Sequence, residues 1–454
     1  MILFNRLTVI LVFMMLCVCG LGRLPAAQID DVSIEAVQTC IDKGIAFFHS
    51  INTQGGYVYY VTVDLKQRWG ESVADAETIE VQSPGTPAVG MTFLTAYRVT
   101  GKADHLNAAR HAASALIRGQ NALGGWDHTI RFNRPKARRV SFDDDQTQGA
   151  IRFLMALDQA IDDVPLTQAI DKALAMMIKA QLDHGGWPHM YPPGGSYHDY
   201  ATFNDQGIND CIRVMMDAVR YYDESEYRES LNRVGRFLMI SQLPPPQSGW
   251  AQQYNEYLQP AWARDFEPPA VCPAVTVNNL VTLMDLYDAT HQTLYLKPIP
   301  GALRWLEQSR MPNGRWARFV EMGTGEALYY DRDRIRVDSM AQLHIERRTG
   351  YGYQTDLSNR IEQIQQRFDS IRHKEAGPAR QHSEEASAQM ISRVRAIINA
   401  QDEQGRWITR NDRYKRYING VRWNGEYETQ DRISSAVFNQ NMRLLCAFLE
   451  CQSK

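Results

Sequence analysis

The stretch from Met177 to Asp205 reads MIKAQLDHGGWPHMYPPGGSYHDYATFND. It opens as the end of an amphipathic helix, and Gly185-Gly186, Pro188, Pro192-Pro193 and Gly194-Gly195 then forbid any helix. A loop of about twenty residues between two helical patterns is usually functional. Trp187, Tyr191, Tyr197 and Tyr200 give it a ring-rich surface that suits a sugar or another flat ligand. The competing reading is that Trp187 and Tyr191 plug the end of a helical bundle, as most aromatics pack.

Working outward, the helix, Gln, Gly-aromatic pattern recurs. It appears as FFHSINTQGGY at Phe47, LIRGQNALGGW at Leu116, FLMISQLPPPQSGW at Phe237, WLEQSRMPNGRW at Trp305 and IINAQDEQGRW at Ile397. Gly55, Gly124, Gly185, Gly249, Gly314 and Gly405 mark steps of 69, 61, 64, 65 and 91 residues. Such a period fits a helix hairpin plus a loop. Between markers each unit supplies two helical patterns, such as Val89 to Val99 with Asp104 to Arg118, and Thr147 to Ile161 with Leu166 to Gln181. Val58 to Val63, Thr129 to Phe132 and Trp316 to Met322 are candidate short ribbons. The expected fold is all-α, an α/α toroid of repeated helix hairpins with β-ribbons in the rim loops. Ala436 to Leu449 would close it against Val32 to Phe48. An open superhelix of helix pairs is the alternative, disfavoured because solenoid turns seldom carry a Gly-Trp in each repeat.

The 454 residues, 44% hydrophobic and 22% charged with net charge -3, describe a globular protein and no basic field for nucleic acid. Met1 to Ala27 reads as an export signal, with Arg6 ahead of the apolar run Leu7 to Cys19 and small residues at Ala26 and Ala27. That run is shorter than a spanning helix needs, so a secreted or periplasmic location without a stable membrane partner is expected. Residues 28–454 would form one domain and a monomer, with 350–390 a polar insertion or linker whose removal spares the core. Cys40, Cys211, Cys272, Cys446 and Cys451 lack paired spacing and read mainly as buried small residues.

Four places hold polar residues that neither core nor plain loop requires. SFDDDQ, Ser141 to Gln146, sets three carboxylates at the start of a helix, where a single Asp would serve as a cap. Three repel unless a hard cation such as calcium is bound. Thr202 to Asp205, TFND, precedes the next helix 62 residues after Asp143, about one repeat step, so Asp143 and Asp205 could share a site. In PAWARDFEPPA, Pro260 to Ala270, prolines stiffen a loop that sets Arg264 between Trp262 and Phe266, with Asp265 or Glu267 as partners. RWARFVEMGTGEALYYDRD from Arg315 carries Arg318 and Arg332 on a potential hairpin. Arg131, Arg134, Lys136, Arg138 and Arg139 add a further basic loop. Arginine matches carboxylates bidentately, so these loops suit an acidic polysaccharide with a carboxylate on each unit.

At these residues the chain resembles the family ten polysaccharide lyases, the pectate lyases of that family. Their GGWPQxYP, TIDNGAT, TFND, ARxYE/ARxFE and WARFYEIGTxxPIFxxRD segments read here GGWPHMYP at Gly185, SFDDDQT at Ser141, TFND at Thr202, ARDFE at Ala263 and WARFVEMGTGEALYYDRD at Trp316. The resemblance spans about Val89 to Asp333. It implies a toroid of helix pairs and cleavage of α-1,4-polygalacturonate by β-elimination with calcium. Asp143 and Asp205 would be the acidic residues about the metal, joined by Asp144, with Arg264 the base. Arg318 and Arg332 would bind galacturonate carboxylates, and the loop aromatic Trp187 is taken as a substrate contact. Asp144 stands where the family has Asn, Asp145 where it has Gly, and WAQQYN at Trp250 replaces a CAQHD-like stretch.

Two other classes remain open. An inverting glycoside hydrolase would use Asp143 and Asp205 as acid and base across a groove. A non-catalytic uronate-binding protein would need the arginine loops alone. A terpene-cyclase-like toroid is least favoured, because charged rim loops give no apolar chamber.

Overall fold

The computed structural model describes residues 32–373, 384–415 and 424–452. The expected export segment 1–27 and positions 374–383 of the expected insertion lie outside them. The described helices are α1 (Ile34–Ser50), α2 (Thr86–Thr100), α3 (Ala103–Gly119), α4 (Gln146–Asp158), α5 (Val164–Ala180), α6 (Gly207–Tyr222) and α7 (Ser225–Ile240). There follow α8 (Pro273–Thr290), α9 (Ile299–Gln308), α10 (Ile345–Gly350), α11 (Ser358–Arg372), α12 (Glu384–Ala400) and α13 (Ser435–Gln452). The hairpins expected at Val89 to Arg118 and Thr147 to Gln181 are α2–α3 and α4–α5. No described helix is long and apolar enough to cross a membrane.

Contacts sort the long helices into two shells. An inner series runs α2 on α4, α4 on α6, α6 on α8 and α8 on α11, and α13 returns onto α2. The outer helices α1, α3, α5, α7, α9 and α12 alternate with them along the chain. The ring closes where expected, with the rings of Phe48 on α1 and Phe438 on α13 stacked at 3.8 Å. Thr92 on α2 also donates to Asn439 on α13 at 2.8 Å. This is an α/α toroid.

The repeated Gln and Gly-Trp residues serve this architecture. Trp126, Trp187, Trp250, Trp316 and Trp407 each donate the indole N–H to a carbonyl near the end of the preceding outer helix, at 2.7 to 2.9 Å. Trp187 is fully buried, its partner being the Met177 carbonyl at 2.8 Å. The expectation that Trp187 touches substrate is therefore corrected: it is a core residue, as the plug reading had it. Gln120, Gln181, Gln242 and Gln401 each bridge two carbonyls, one in their own turn and one at the next outer helix. Gln120 reaches Gly124 and Ala169, and Gln181 reaches Gly185 and Ser230. Gln401 reaches Gly405 and, across the closure, Cys40 on α1 at 2.9 Å. Gly185 must be glycine, since its φ is +102° and a Cβ would stand 2.3 Å from the Arg233 carbonyl.

Connections at one rim are as short as two residues, 101–102 and 223–224, while the long described loops gather at the other. There, two-stranded ribbons lace the first four long loops together, and two more brace the stretch between α9 and α11. β3 (Thr78–Glu80) pairs with β4 (Thr129–Arg131), β5 (Val140–Ser141) with β6 (Met190–Tyr191), and β7 (Ala201–Thr202) with β8 (Gln253–Tyr254). β9 (Trp316–Ala317) pairs with β12 (Gln354–Thr355), and β10 (Tyr329–Tyr330) with β11 (Arg336–Val337). A four-stranded antiparallel sheet joins the last loop to the first, ordered β13 (Ile408–Lys415), β14 (Tyr427–Ser434), β1 (Tyr60–Thr62) and β2 (Arg68–Trp69). The ribbons expected at Val58, Thr129 and Trp316 are found; the long β13–β14 hairpin was not foreseen.

The polar-insertion reading of 350–390 is corrected for its first half. Tyr351, Tyr353, Ile364 and Phe368 are buried and α11 packs on α8, so deleting this segment would open the core. Four of the five cysteines are buried as expected, and Cys451 is exposed.

Replacing Gln181 with Leu would strand two buried carbonyls. The expected cost is about 2 kcal/mol, the usual penalty for orphaned buried groups, read as a lower midpoint in equilibrium urea unfolding.

Candidate functional site

The loops before α4 and α6 follow one template. Ser141-Phe142 corresponds to Thr202-Phe203, and the Phe142 and Phe203 amides donate to carbonyls of the next loop, His189 and Gln252, both at 2.8 Å. The chain then turns through two left-handed residues, Asp144 and Asp145 at φ 46° and 56°, and Asp205 and Gln206 at 44° and 66°. Non-glycine residues hold such angles only where the surroundings enforce them, most often at functional sites. This register corrects the pairing of Asp143 with Asp205 as equivalents. Asp205 matches Asp144, at the same 61-residue step as Gly124 to Gly185, and Asp143 matches Asn204.

Asp143, Asp144 and Asp205 nevertheless converge, each offering a carboxylate oxygen within 4.8 Å of the others. Asp143 Oδ1 and Asn204 Oδ1 are buried without a partner. Burial, then the Asp205 charge, pushes the Asp143 carboxyl up to about 6, with His128 and Arg264 opposing. Burial, then Asp205 and Asp143, pushes Asp144 up to about 9. Three mutually repelling carboxylates with an orphaned oxygen fit a hard divalent cation such as calcium, which takes oxygen donors. None of the run caps α4, whose N-cap Asp145 makes no side-chain bond to it. Asp145 stands apart and half-buried, its carboxyl raised to about 8 by burial and then by Asp210.

Opposite lies a basic cluster whose charges act on this centre: Asp205 influences both Arg264 and Arg318. Arg264 donates Nε to Glu267 Oε2 at 2.7 Å and Nη2 to Glu267 Oε1, while Tyr351 Oη donates to the same Oε1 at 2.5 Å. Glu267 is 2% exposed. Burial alone would raise its carboxyl, but Arg264 overrides this and holds it down to about 2. Burial likewise works against the Arg264 charge, and Glu267 outweighs it, leaving the guanidinium harder to deprotonate than usual. Glu267 thus favours the charged form of Arg264, whereas the implied role as a base calls for the neutral guanidine. Its ring partner is Phe266 at 5.2 Å, while Trp262 packs edge-on against Tyr330.

Arg318 lies over the Tyr351 ring at 4.1 Å and donates Nη1 to the Tyr351 carbonyl at 3.2 Å. Its Nε is buried without a partner. Arg332 bonds Glu346 through Nη2 at 2.8 Å and faces Phe266 at 5.5 Å. Arg347, buried, shares Glu346 and stacks on Phe266 at 4.0 Å. Four guanidinium groups therefore surround two rings with two carboxylates among them. The aromatic loop contributes half-buried Tyr197, whose hydroxyl feels both Arg264 and Asp143. Arg131, Arg134, Lys136 and Arg139 line a recess of their own, about 350 Å³, beside His128.

Sequence reasoning missed Arg347, Tyr351 and Glu346, as well as His128 and Glu71, which stand 3.8 Å apart beside the acidic centre. Glu267 was legible as a partner of Arg264. Tyr351 carried no signal, lying in a stretch that reads as polar linker.

Residues 128–315 match the family described as pectic acid lyase. Among solved structures, a family 10 polysaccharide lyase from Cellvibrio cellulosa aligns with TM-score 0.50 and 20% identity, over 62% of this chain and 97% of that one. A variant of a Cellvibrio cellulosa family 10 lyase, in complex with trigalacturonic acid, aligns with TM-score 0.51 and 19% identity over 62% and 98%. A D-mannose isomerase gives TM-score 0.50 and 14% identity over 92% and 98%. At these identities the structures speak for the fold alone. No curated protein matches the chain. The resemblance read from the five segments is borne out, and the chain is a lyase acting on polysaccharides.

An Asp144→Asn variant tests the acidic centre. The carboxyl is harder to ionise folded than unfolded, so its stabilising share is full below about 3.8 and drains as pH rises towards about 9. Without cation at neutral pH, the variant should unfold about 1–3 °C higher than the parent. It should also bind calcium at least about tenfold more weakly, both read by calorimetry.

Proposed function

We propose that the protein is a pectate lyase that cleaves α-1,4-polygalacturonate by calcium-assisted β-elimination. The observation that carries this reading is the carboxylate trio Asp143, Asp144 and Asp205 facing Arg264 and Arg318 across one rim. The pectic acid lyase match and the trigalacturonic acid complex of the Cellvibrio lyase support an acidic substrate. A polymer of that kind also agrees with the export signal expected at Met1 to Ala27.

Elimination removes the proton on C5, beside the uronate carboxylate, and expels the oxygen on C4. The weak acidity of that C–H bond is the main obstacle, and positive charge at the carboxylate lowers it by stabilising the enediolate that develops. Arg318 is placed for this, since its buried Nε has no protein partner. A calcium ion held by Asp143, Asp144 and Asp205 would supply further charge at the same carboxylate. Arg264 commits Nε and Nη2 to Glu267, which leaves Nη1 for the substrate. A solvent hydroxide takes the C5 proton, the C5–H electrons become the 4,5-double bond as the C4–O4 bond breaks, and Arg264, held as a cation, passes a proton from Nη1 to O4 and is reprotonated by water. Arg332, paired with Glu346, stands farther along as a binder of the next uronate.

The inverting hydrolase is disfavoured by distance. Inverting pairs stand about 6.5–9.5 Å apart to admit a water, whereas Asp143 and Asp205 oxygens lie within 4.8 Å.

Arg264→Lys keeps the charge but loses the fork that Glu267 holds, so polygalacturonate cleavage should fall by about 100-fold or more, with substrate binding largely retained. Ultraviolet absorbance of the unsaturated product measures it. Saturated products with new reducing ends would refute the elimination.

A chelator should abolish that absorbance and added calcium restore it. Full activity after exhaustive chelation would remove calcium from the reaction.

A further inference from the structure

We propose that a recess between the starts of α6 and α8 is a uronate subsite in which Gln252 is the selecting residue. It measures about 190 Å³, room for roughly one sugar unit, and is lined among others by Asn204, Asp205, Gln252, Ala274 and Arg318. This rests on the lyase reading for its substrate class, and to the uronate whose carboxylate Arg318 holds it adds a pocket and a further residue.

Three of its lining residues each carry a buried polar atom without a partner: Gln252 Nε2, Arg318 Nε and Asn204 Oδ1. Gln252 is 5% exposed and Asn204 4% exposed. Buried polar groups in folded proteins are nearly always bonded, so three orphans around one recess point to a ligand that completes them. Two of the three are donors, one on a guanidinium, which selects an anionic oxygen pair. The third is an acceptor, because Asn204 has already given its Nδ2 hydrogen to Asp205 Oδ2 at 2.6 Å. It suits a hydroxyl. A carboxylate and a hydroxyl on one ring describe a uronic acid.

The backbone adds to this. Helix α8 starts at Pro273 and its N-cap, Cys272, makes no side-chain capping bond. The open first-turn N–H groups of Ala274 and Val275 therefore bring the positive helix end to the recess. Gln252 is also fixed in place, since its carbonyl accepts from Phe203 N at 2.8 Å and so lies in the strand-like register that carries Asp205. Gln253, its neighbour, is spent on His189 and the Tyr197 carbonyl, so the two glutamines divide the work between structure and ligand.

The test uses the full chain with calcium, comparing Gln252→Leu, which removes the donor at similar volume, and Ala274→Leu, which fills the recess. Binding of trigalacturonate is measured by calorimetry and cleavage of polygalacturonate by ultraviolet absorbance. Loss of a hydrogen bond to a charged group predicts about tenfold weaker binding for Gln252→Leu. KM should rise alongside, kcat should change less, and the thermal midpoint should stay near that of the parent. Fully methyl-esterified trigalacturonate should feel the substitution less than the free acid. If both variants bind trigalacturonate within twofold of the parent, the subsite is refuted even though the parent cleaves. If the parent binds and the variants bind weakly but nothing unsaturated forms, the subsite stands and the lyase reading falls.

Discussion

A glutamine carboxamide at the end of an outer helix bonds two carbonyls at once, one in its own turn and one on the neighbouring outer helix. Beside it a left-handed glycine lets the two backbones touch, and the indole that follows ties the turn to the helix it left. Because each carbonyl is buried, every bond must be made or its loss is felt in full. The angle between successive hairpins is set by this stitch, and repeated through the chain it yields a ring. Two seams depart from the rule, and at the first of them Ile51 stands at the glutamine position before Gly55. At the other the substitution is different. Arg310 stands at the glutamine position and reaches only the Gly314 carbonyl of its own turn, and next to it a recess of about 520 Å³ separates α9 from α11.

The functional rim follows from the same constraint. With outer helices ending and inner helices beginning at one face, the long described loops are delivered there, and ribbons fix several of them against their neighbours. Repetition then puts like positions side by side, so Asp144 and Asp205, in the same left-handed conformation, bring their charges together with Asp143. That concentration is unfavourable for an empty fold and useful for a cation. The basic side is built differently: Arg264, Arg318, Arg332 and Arg347 are spaced by Phe266 and Tyr351 and balanced by Glu267 and Glu346. Aromatic faces keep guanidinium groups apart and desolvated while leaving individual N–H donors open.

What the sequence made legible is what repetition and helical period encode. The hairpins, the closure of α13 on α1 and the gathering of Asp143, Asp144, Asp205, Arg264 and Arg318 could be read because each lies in a marked loop. Trp187 misled because a repeated Gly-Trp looks like a binding surface, when its very recurrence signals a packing device. The Asp143–Asp205 equivalence failed by one residue, since spacing alone cannot see that both loops share a left-handed pair. Residues 350–372 were misread because Tyr351, Tyr353, Ile364 and Phe368 are scattered among charges, and only tertiary contact with α8 and Glu267 shows their burial. The β13–β14 hairpin escaped because ITRNDRYK and YETQDRIS are largely polar, their outer faces meeting solvent.

The closing stitch from Gln401 to the Cys40 carbonyl joins residues 361 positions apart. During synthesis, the loops that carry Asp143, Asp205 and Arg264 leave the ribosome long before that partner exists. The nascent protein is therefore an open arc, and its first outer helix waits with an unclaimed carbonyl and an uncovered Phe48 until α13 is made. Long-range pairings of this kind form late and slowly.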